Sequence, residues 1–108
     1  MNPEIIFERT TSFRDDLLKD LADTEFAMYY LEAALADYKE DGNTASLWMA
    51  LRDVVEAQGG IGKLAQRTKA DPQHLNDIFE SKQKPRLDNL QSILSGLGFQ
   101  IRLEFAEN

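Results

Sequence analysis

The stretch GIGKLAQRTKADPQHLNDIFESKQKPR, residues 60–86, contains two short helical patterns around a four-residue break and ends in a basic segment. Asp71 followed by Pro72 is typical of a helix start, because an Asp oxygen accepts from free backbone N–H groups and proline fits the first helical position. Each pattern has one apolar or small face, formed by Ile61, Leu64, Ala65 and Thr68 in the first and by Leu75, Ile78 and Phe79 in the second. A helix, a tight turn and a second helix are the parts of the DNA-reading helix-turn-helix, whose second helix enters the major groove.

Composition sets broad limits on the protein. With 108 residues, of which 43% are hydrophobic, we expect one domain over residues 1–108 with a real core. The chain has no cysteine, so disulfides and thiolate metal sites are excluded, and no metal or cofactor is expected. The opening MNPEIIFERTTS is unlike a signal peptide, and no apolar run reaches membrane-spanning length. A cytoplasmic protein without a membrane partner is the prediction.

Charge is distributed unevenly along the chain. The net charge is −7, which would disfavour nucleic acid if it were uniform. Residues 1–58 carry 13 acidic and 5 basic residues, whereas residues 59–108 carry 6 acidic and 7 basic. Phosphate contacts depend on the local field, so the second half is compatible with DNA. The acidic half would repel DNA and suit a basic protein partner, although charged faces are often simply solvated.

Apolar spacing predicts further helices on both sides of the central stretch. One begins at Ser12, one is capped by Asp23 and ends at Gly42, and one opens at Asn43 or Thr44. Another follows Pro85, has Asp88 in its first turn and ends at Gly98. Their expected inward residues are, in chain order, Phe13, Leu17, Leu18 and Leu21; Phe26, Tyr30, Leu31, Ala34, Leu35 and Tyr38; Leu47, Leu51, Val54 and Val55; and Leu87, Leu90, Ile93, Leu94 and Leu97.

The ending FQIRLEF, residues 99–105, has the pattern of a β-strand. Phe99, Ile101, Leu103 and Phe105 alternate with polar residues, which gives one apolar face at period two. A single strand needs a partner, either the N-terminal Ile5–Phe7 segment or a second copy of itself. Because unpaired strand edges are costly and sticky, we favour pairing across a homodimer. The fold class predicted is therefore all-α, a repressor-like bundle of five or six helices with a short C-terminal strand.

The second helix of the central stretch provides candidates for base recognition. With Leu75, Ile78 and Phe79 facing the core, four polar side chains face outward: Gln73, His74, Asn76 and Asp77. Amide side chains can bond bidentately to adenine, and an aspartate can accept from cytosine N4. The alternative is that they are ordinary surface polar residues.

Basic residues lie along and after the same stretch. Lys82, Lys84 and Arg86 follow the second helix where the chain would run along the phosphates, with Lys63, Arg67 and Lys69 as further candidates. The alternative is a basic patch that serves solubility.

Two remaining groups of residues invite functional interpretations. His74 is the only histidine, so a histidine-based triad or multi-histidine metal site is excluded within one chain. Two acidic groups, Asp15 with Asp16 and Asp37 with Glu40 and Asp41, could suggest paired carboxylates for acid–base chemistry. No nucleophile motif or phosphate loop accompanies them, and we do not expect an enzyme. Tyr29 and Trp48 lie off the main apolar faces and could anchor a partner. Trp48 and Met49 cannot both face inward fully, and most aromatic residues at helical spacing belong to a core.

Three segments of the chain resemble a known family. LAQRTKADPQHLNDIF and KQKPRLDNLQSILSGLGF resemble the XRE-type helix-turn-helix of Cro and phage repressors. The upstream FAMYYLEAALADYKEDGNTASLWMALRDVVEAQGG resembles the addiction module antidote branch, HigA-like antitoxins that partner toxins of the RelE/ParE superfamily. The similarity extends from about Ser12 to Phe105. It implies a dimer that neutralises a ribonuclease-like toxin and represses its own operon. Lys69 departs from the family pattern, because it occupies a turn position where glycine is common.

The leading hypothesis is thus an antitoxin of a type II toxin–antitoxin module. It would bind double-stranded DNA at a palindromic operator through residues 60–98 and a small basic toxin through residues 1–58, as a homodimer paired through residues 99–105. One alternative is a stand-alone or prophage transcriptional repressor. Another is a protein-interaction adaptor that no longer binds DNA, which Asp77, Glu80 and the net acidity motivate.

Overall fold

The computed structural model of the chain describes residues 13–81 and 83–106. Within these ranges the chain forms six α-helices and no β-strand, so the predicted all-α class is confirmed. The helices are α1 (residues 13–21), α2 (Thr24–Asp41), α3 (Thr44–Ala57), α4 (Gly60–Thr68), α5 (Pro72–Glu80) and α6 (Leu87–Gly96). The predictions for Ile5–Phe7, the Ser12 cap and Lys82 fall outside the described residues.

Three helix starts are fixed by the side chains that the sequence indicated. Asp23 Oδ1 accepts from the backbone N–H groups of Glu25 and Phe26 at 2.9 and 3.1 Å. Asn43 and Asp71 cap α3 and α5 in the same way, at 3.0 and 2.9 Å. Each such cap stabilises its helix by about 1 kcal/mol. The caps therefore separate α2, α3 and α5 from the turns before them.

The core is built around α3 and α4. α2 packs against α3, and α4 packs against α3, α5 and α6. The buried apolar side chains are Leu21, Ala27, Leu31, Leu47, Trp48, Ala50, Leu51, Val54, Val55, Leu64, Ala65, Leu75, Phe79, Ile93, Leu94 and Leu97. Most of the inward residues predicted for α3, α5 and α6 belong to this set. Leu87, in contrast, lies exposed at the start of α6.

The prediction for α2 is wrong at two positions. Phe26 and Leu35 were expected to face inward, but both are exposed, and Ala27 is buried instead. The other four predicted positions lie on the inner side: Leu31 is buried, and Tyr30, Ala34 and Tyr38 are half-buried. A helix can approach its neighbour closely where small alanine side chains lie at the contact, which moves the larger flanking side chains outward. α2 therefore has a narrow buried stripe and keeps apolar side chains at the surface.

Trp48 and Met49 are adjacent on α3 but differ in burial. Trp48 is 4% exposed and Met49 is 65% exposed. The indole Nε1 donates to the carbonyl oxygen of Gln83 at 2.8 Å, and its ring meets Phe79 edge to face with a centroid separation of 5.6 Å. The prediction that Trp48 lies off the apolar face of α3 is wrong, because its ring fills the seam between α3, α5 and the loop after α5.

The turn between α4 and α5 comprises Lys69, Ala70 and Asp71, one residue shorter than the sequence suggested. Lys69 has φ 57° and ψ 32°, the left-handed conformation. The left-handed region costs a side chain other than glycine about 1–2 kcal/mol. The turn thus has a backbone conformation that glycine adopts more easily, although a lysine occupies it here.

Gly96 marks the tightest approach between helices. A Cβ atom at this position would lie 2.5 Å from Leu64 Cδ1 and 2.7 Å from Thr68 Cγ2. α6 therefore packs against α4 with no room for a side chain at this point. The contact holds α4 and α6 together as one unit, with α5 on the other side of α4.

The segment after α6 extends away from the core. Phe99 is half-buried and its N–H donates to the carbonyl oxygen of Leu94 at 2.8 Å. Residues 100–106 are exposed, and Leu103 and Phe105 are almost fully so. The predicted strand is not formed within the described part of a single chain, since no described neighbour forms backbone hydrogen bonds with it.

None of the helices in the described ranges has the length and apolar character to span a membrane.

Candidate nucleic-acid and protein interfaces

The α5 face consists of the four polar residues predicted for base recognition, Gln73, His74, Asn76 and Asp77. Burial of Leu75 and Phe79 fixes the rotation of α5, so Gln73, His74 and Asp77 are exposed. Gln73 Nε2 donates to Asp77 Oδ1 at 3.0 Å, one turn along the helix. The structure therefore brings a paired amide and carboxylate to the surface, and base recognition by them stays a prediction.

Asn76 differs from its neighbours on α5 because it is half-buried. Its Oδ1 accepts from Arg52 Nη2 of α3 at 3.0 Å, and its Nδ2 lies 3.4 Å from Glu80 Oε1. Arg52 also lies 4.0 Å from Glu80. Sequence analysis missed Arg52, because its distance of 24 residues from Asn76 leaves no local signal. A base would reach the Asn76 amide only by displacing these neighbours.

Two of the predicted phosphate contacts already have partners. Arg67, in the last turn of α4, donates to the carbonyl oxygen of Gly96 at the end of α6, at 3.3 Å. Arg86 pairs with Asp88 through two hydrogen bonds, at 3.0 and 3.2 Å. An exposed pair of this kind contributes little to stability and can exchange for another anion. Their phosphate roles therefore require exchange of the existing bonds.

Three predicted cations project from the surface without an ion pair to any described residue: Lys63, Lys69 and Lys84. Lys63 lies in the first half of α4, with its side chain over Gly59. Lys69 lies in the turn before α5, and Lys84 lies in the loop after it. The two ends of α5 thus each have an exposed lysine nearby, a distribution suited to an anionic backbone.

The Tyr29 face is the outward side of α2, opposite the buried stripe. It consists of Tyr29, its exposed neighbours at three- and four-residue spacing, and two residues further along the same side, namely Glu25, Phe26, Glu32, Ala33, Ala36 and Glu40. The Tyr29 side chain is 57% exposed. An amphipathic ring surrounded by carboxylates and small residues is typical of a surface that anchors a basic partner. Tyr29 therefore stays a predicted partner contact, whereas Trp48 is too buried to serve as one.

A buried carboxylate joins the first three helices, and sequence analysis missed it. Asp53 is 6% exposed and accepts from Arg14 Nη1 at 3.1 Å, while Tyr30 Oη lies 3.4 Å from its second oxygen. Arg14 also pairs with Glu56 at 2.7 Å. The hydrogen bond and charge of Asp53 raise the pKa of Arg14. Burial, and then Asp53, raise the pKa of Tyr30. Helical spacing gave no signal for it, because Asp53 is neither three nor four residues from any of the inward residues predicted for α3.

The described residues present two exposed surfaces of different character. The described residues contain no cluster of histidine, aspartate and glutamate arranged to hold a metal ion. What they present is one helix with a polar outward side between lysines, and one acidic helix with an exposed aromatic ring. Both arrangements are of the kind that contacts macromolecules.

Comparison with known families gives one match. The model of the family described as "Probable addiction module antidote protein" matches residues 10–105, nearly the whole chain. No curated protein and no solved structure matches the chain significantly. The family match agrees with the antidote branch of the resemblance seen in the sequence, and its finer XRE-type and HigA-like assignment stays a prediction.

Proposed function

Because the chain belongs to the "Probable addiction module antidote protein" family, we propose that it is the antitoxin of a type II toxin–antitoxin pair. In this proposal the Tyr29 face binds a small basic toxin, of the RelE/ParE superfamily as the resemblance implies. The α5 face and the lysines around it bind an operator and repress the module's own genes. The exposed Tyr29 ring among carboxylates is the observation that carries the toxin-binding half.

The physical argument for the Tyr29 face is its combination of ring and charge. α2 contains five acidic residues and one basic residue, so its field attracts a cationic protein and steers its approach. An aromatic side chain supplies the buried anchor that interfaces need, and surrounding polar groups form the rim. The Tyr29 ring is not part of the hydrophobic core of the free chain. Binding would remove it from water.

The proposal requires a small basic toxin encoded beside this gene, and the toxin-binding half is tested with that protein. Its affinity for the full chain is measured by calorimetry. Tyr29→Ala is expected to weaken binding at least about tenfold, the range of an aromatic interface anchor, and Glu32→Lys to slow association, most strongly at low salt. Met49→Ala, which removes an apolar side chain of similar exposure from α3, is the control. Equal affinity of all three variants and the unchanged chain would exclude this face.

The DNA-binding half rests on the placement of α5. Three of its polar residues, Gln73, His74 and Asp77, are exposed in the stretch between Lys69 and Lys84. This placement is expected of a helix that lies in a major groove with its ends near the phosphates. For a dimer, the two half-sites would lie about one helical turn apart, roughly 34 Å.

The DNA-binding half is tested by titrating the module's promoter DNA at several salt concentrations. Lys69→Ala and Lys84→Ala should weaken binding to every sequence and each reduce the salt slope by roughly one. Gln73→Ala should weaken binding to the promoter while leaving binding to random DNA unchanged. Lys39→Ala on α2 is the matched lysine control. Absence of any binding at low salt would contradict this half of the proposal.

One observation favours a second candidate, an adaptor that binds protein but no longer reads DNA. Arg52 and Arg67 are tied to groups within the chain, and Glu80 adds negative charge beside Asn76. The same promoter titration separates the two functions. A stand-alone repressor would instead bind the promoter with no basic toxin encoded nearby.

A further inference from the structure

The C-terminal segment, residues 99–105, has the pattern of a strand without the bonds of one. Its apolar residues Ile101, Leu103 and Phe105 are 44%, 97% and 101% exposed. Beyond Phe99, its backbone makes no hydrogen bond to another described residue. A row of exposed apolar side chains on an unpaired extended backbone is a template for another strand. The segment therefore has both an apolar face and a hydrogen-bonding edge to offer.

An open groove accompanies the segment. It has a volume of about 700 Å³ and lies between α2 and residues 98–104, with Met28, Leu31 and Leu35 on the α2 side. Met28 and Leu35 are partly exposed there. Glu32 of the Tyr29 face also lines the groove, but Tyr29 itself does not. An occupant of the groove would leave Tyr29 accessible.

We propose that the occupant is the same segment of a second copy, paired antiparallel about Leu103. In this arrangement Leu103 faces Leu103 of the partner subunit across a two-fold axis. Each residue then lies opposite the one at the same distance on the other side of Leu103. Two copies related by a two-fold axis present the same surface to one another, so one segment supplies both halves of the interface.

Charge selects this register. Pairing about Leu103 sets Arg102 of each chain opposite Glu104 of the other, which gives two favourable cross-strand pairs. Pairing about Arg102 would place arginine opposite arginine, and pairing about Glu104 would place glutamate opposite glutamate. Both are destabilising.

The apolar residues agree with the same register. Ile101 lies opposite Phe105 twice, an aromatic and β-branched pairing that sheets favour. A slip by one residue would oppose apolar to polar side chains along the whole segment. Pairing about Ile101 still sets apolar residues opposite apolar residues. It leaves Glu104 without a cation, however, because Arg102 then lies opposite Gln100. The Leu103 register alone among these satisfies both faces.

The inference goes beyond the proposed function and does not need it. Neither the toxin nor DNA takes part in the pairing, so failure of the register leaves both tests above unaffected. The two-fold axis nevertheless agrees with a palindromic DNA site, because it would place two copies of α5 in symmetric positions.

A charge swap tests the register by sedimentation velocity of the full chain. Arg102→Glu and Glu104→Arg should each weaken the dimer about tenfold or more, because both favourable pairs become like-charge pairs. The double variant R102E/E104R should dimerise like the unchanged chain. A mixture of the two single variants should form the mixed dimer. Unchanged dimerisation in both single variants, or failure of the double variant to recover, would overturn the register.

A cysteine placed on the axis provides a second test. The chain has no cysteine, so Leu103→Cys creates one thiol per subunit. Directly opposed antiparallel residues have Cα atoms about 4.5–5.5 Å apart, which is within the range of a disulfide. Leu103→Cys should cross-link faster than Leu87→Cys, which is also exposed. Equal rates would overturn the pairing, as would a monomeric unchanged chain, the result if Ile5–Phe7 occupied the edge instead.

Discussion

Trp48, in the seam between α3 and α5, and Tyr29, on the outward side of α2, are both large aromatic residues, but their surroundings differ. Trp48 is 4% exposed, packs its edge on Phe79 and donates to the Gln83 carbonyl oxygen. Tyr29 is 57% exposed and has acidic neighbours on its own helix. The first ring is used to hold the fold together. The second is exposed, and we propose that it contacts a partner.

This contrast separates stability from binding. A buried ring contributes through lost contact with water and through packing, so its removal leaves a cavity. An exposed ring costs the free chain little to remove, and its effect appears only in a complex. Variants in the two regions should therefore fall into two classes, and the predictions below run from the largest effect on folding to the smallest.

Trp48→Ala should reduce the free energy of unfolding by about 3–5 kcal/mol, the usual cost of removing a buried large aromatic side chain. Urea denaturation followed by circular dichroism measures the change, since the only tryptophan is lost. Met49→Ala, next along α3 but exposed, should change stability by less than about 0.5 kcal/mol. Similar losses in the two variants would contradict the assignment of the seam.

Gly96→Ala should destabilise the protein by about 1–3 kcal/mol, because the added methyl group collides with Leu64 and Thr68 of α4. Gly62→Ala is the matched control. A Cβ at Gly62 meets nothing within 4 Å, and alanine in a helix is favoured over glycine by about 0.5–1 kcal/mol. Opposite signs are expected in the same denaturation experiment. If both substitutions stabilise, the close approach of α4 and α6 is wrong.

Tyr30, on the inner side of α2, should make stability depend on alkaline pH. Burial, and then the charge of Asp53, raise the pKa of Tyr30 above its ordinary value near 10. The unfolded chain therefore loses this proton first as pH rises. The contribution of the protonated Tyr30 hydroxyl to the free energy of unfolding is complete below pH 10. It is lost as pH rises through the raised pKa of the folded chain.

Tyr30→Phe removes the ionisable group and tests this dependence. Its stability should be within about 1 kcal/mol of the unchanged chain at neutral pH, the worth of one hydrogen bond. Between pH 9 and 11 it should decline less steeply. Parallel declines in thermal melts across this pH range would show that Tyr30 ionises equally in both states.

Tyr29→Ala should have the smallest effect on folding, less than about 0.5 kcal/mol, since the ring is mostly in water. The same variant is expected to lose toxin affinity, as proposed above. Calorimetry and urea denaturation on one preparation measure both. A stability loss comparable to that of Trp48→Ala would place the ring in the core and remove the contrast.

The sequence predicted the features that depend on neighbours in the chain. Caps at Asp23, Asn43 and Asp71 were recognisable because capping uses an acceptor two or three residues before the N–H it satisfies. The inward residues of α5 followed from helical spacing. Tyr29 and the residues of the α5 face were also found this way, because outward positions follow once the inward ones are known.

The rest depended on contacts between distant residues. Whether Trp48 or Met49 faces inward is decided by Phe79 and the loop at Gln83, more than thirty residues away. The rotation of α2 is decided by how closely Ala27 approaches α3, which spacing alone does not give. The pairs of Arg14 with Asp53 and of Arg52 with Asn76 link residues 39 and 24 positions apart. The C-terminal strand needs a partner that one chain does not supply.

On α5, Gln73 bonds to Asp77, and Asn76 bonds to Arg52 and Glu80. A molecule that docks on α5 through these side chains must replace those hydrogen bonds. A ligand offering a matching donor and acceptor exchanges one bond for another at little net cost, whereas a mismatched one leaves both partners unsatisfied. Under the proposed function, a DNA site with the wrong bases would be rejected because it breaks these hydrogen bonds without replacing them, even where no steric clash occurs. Loosening those bonds would be expected to broaden what the helix accepts.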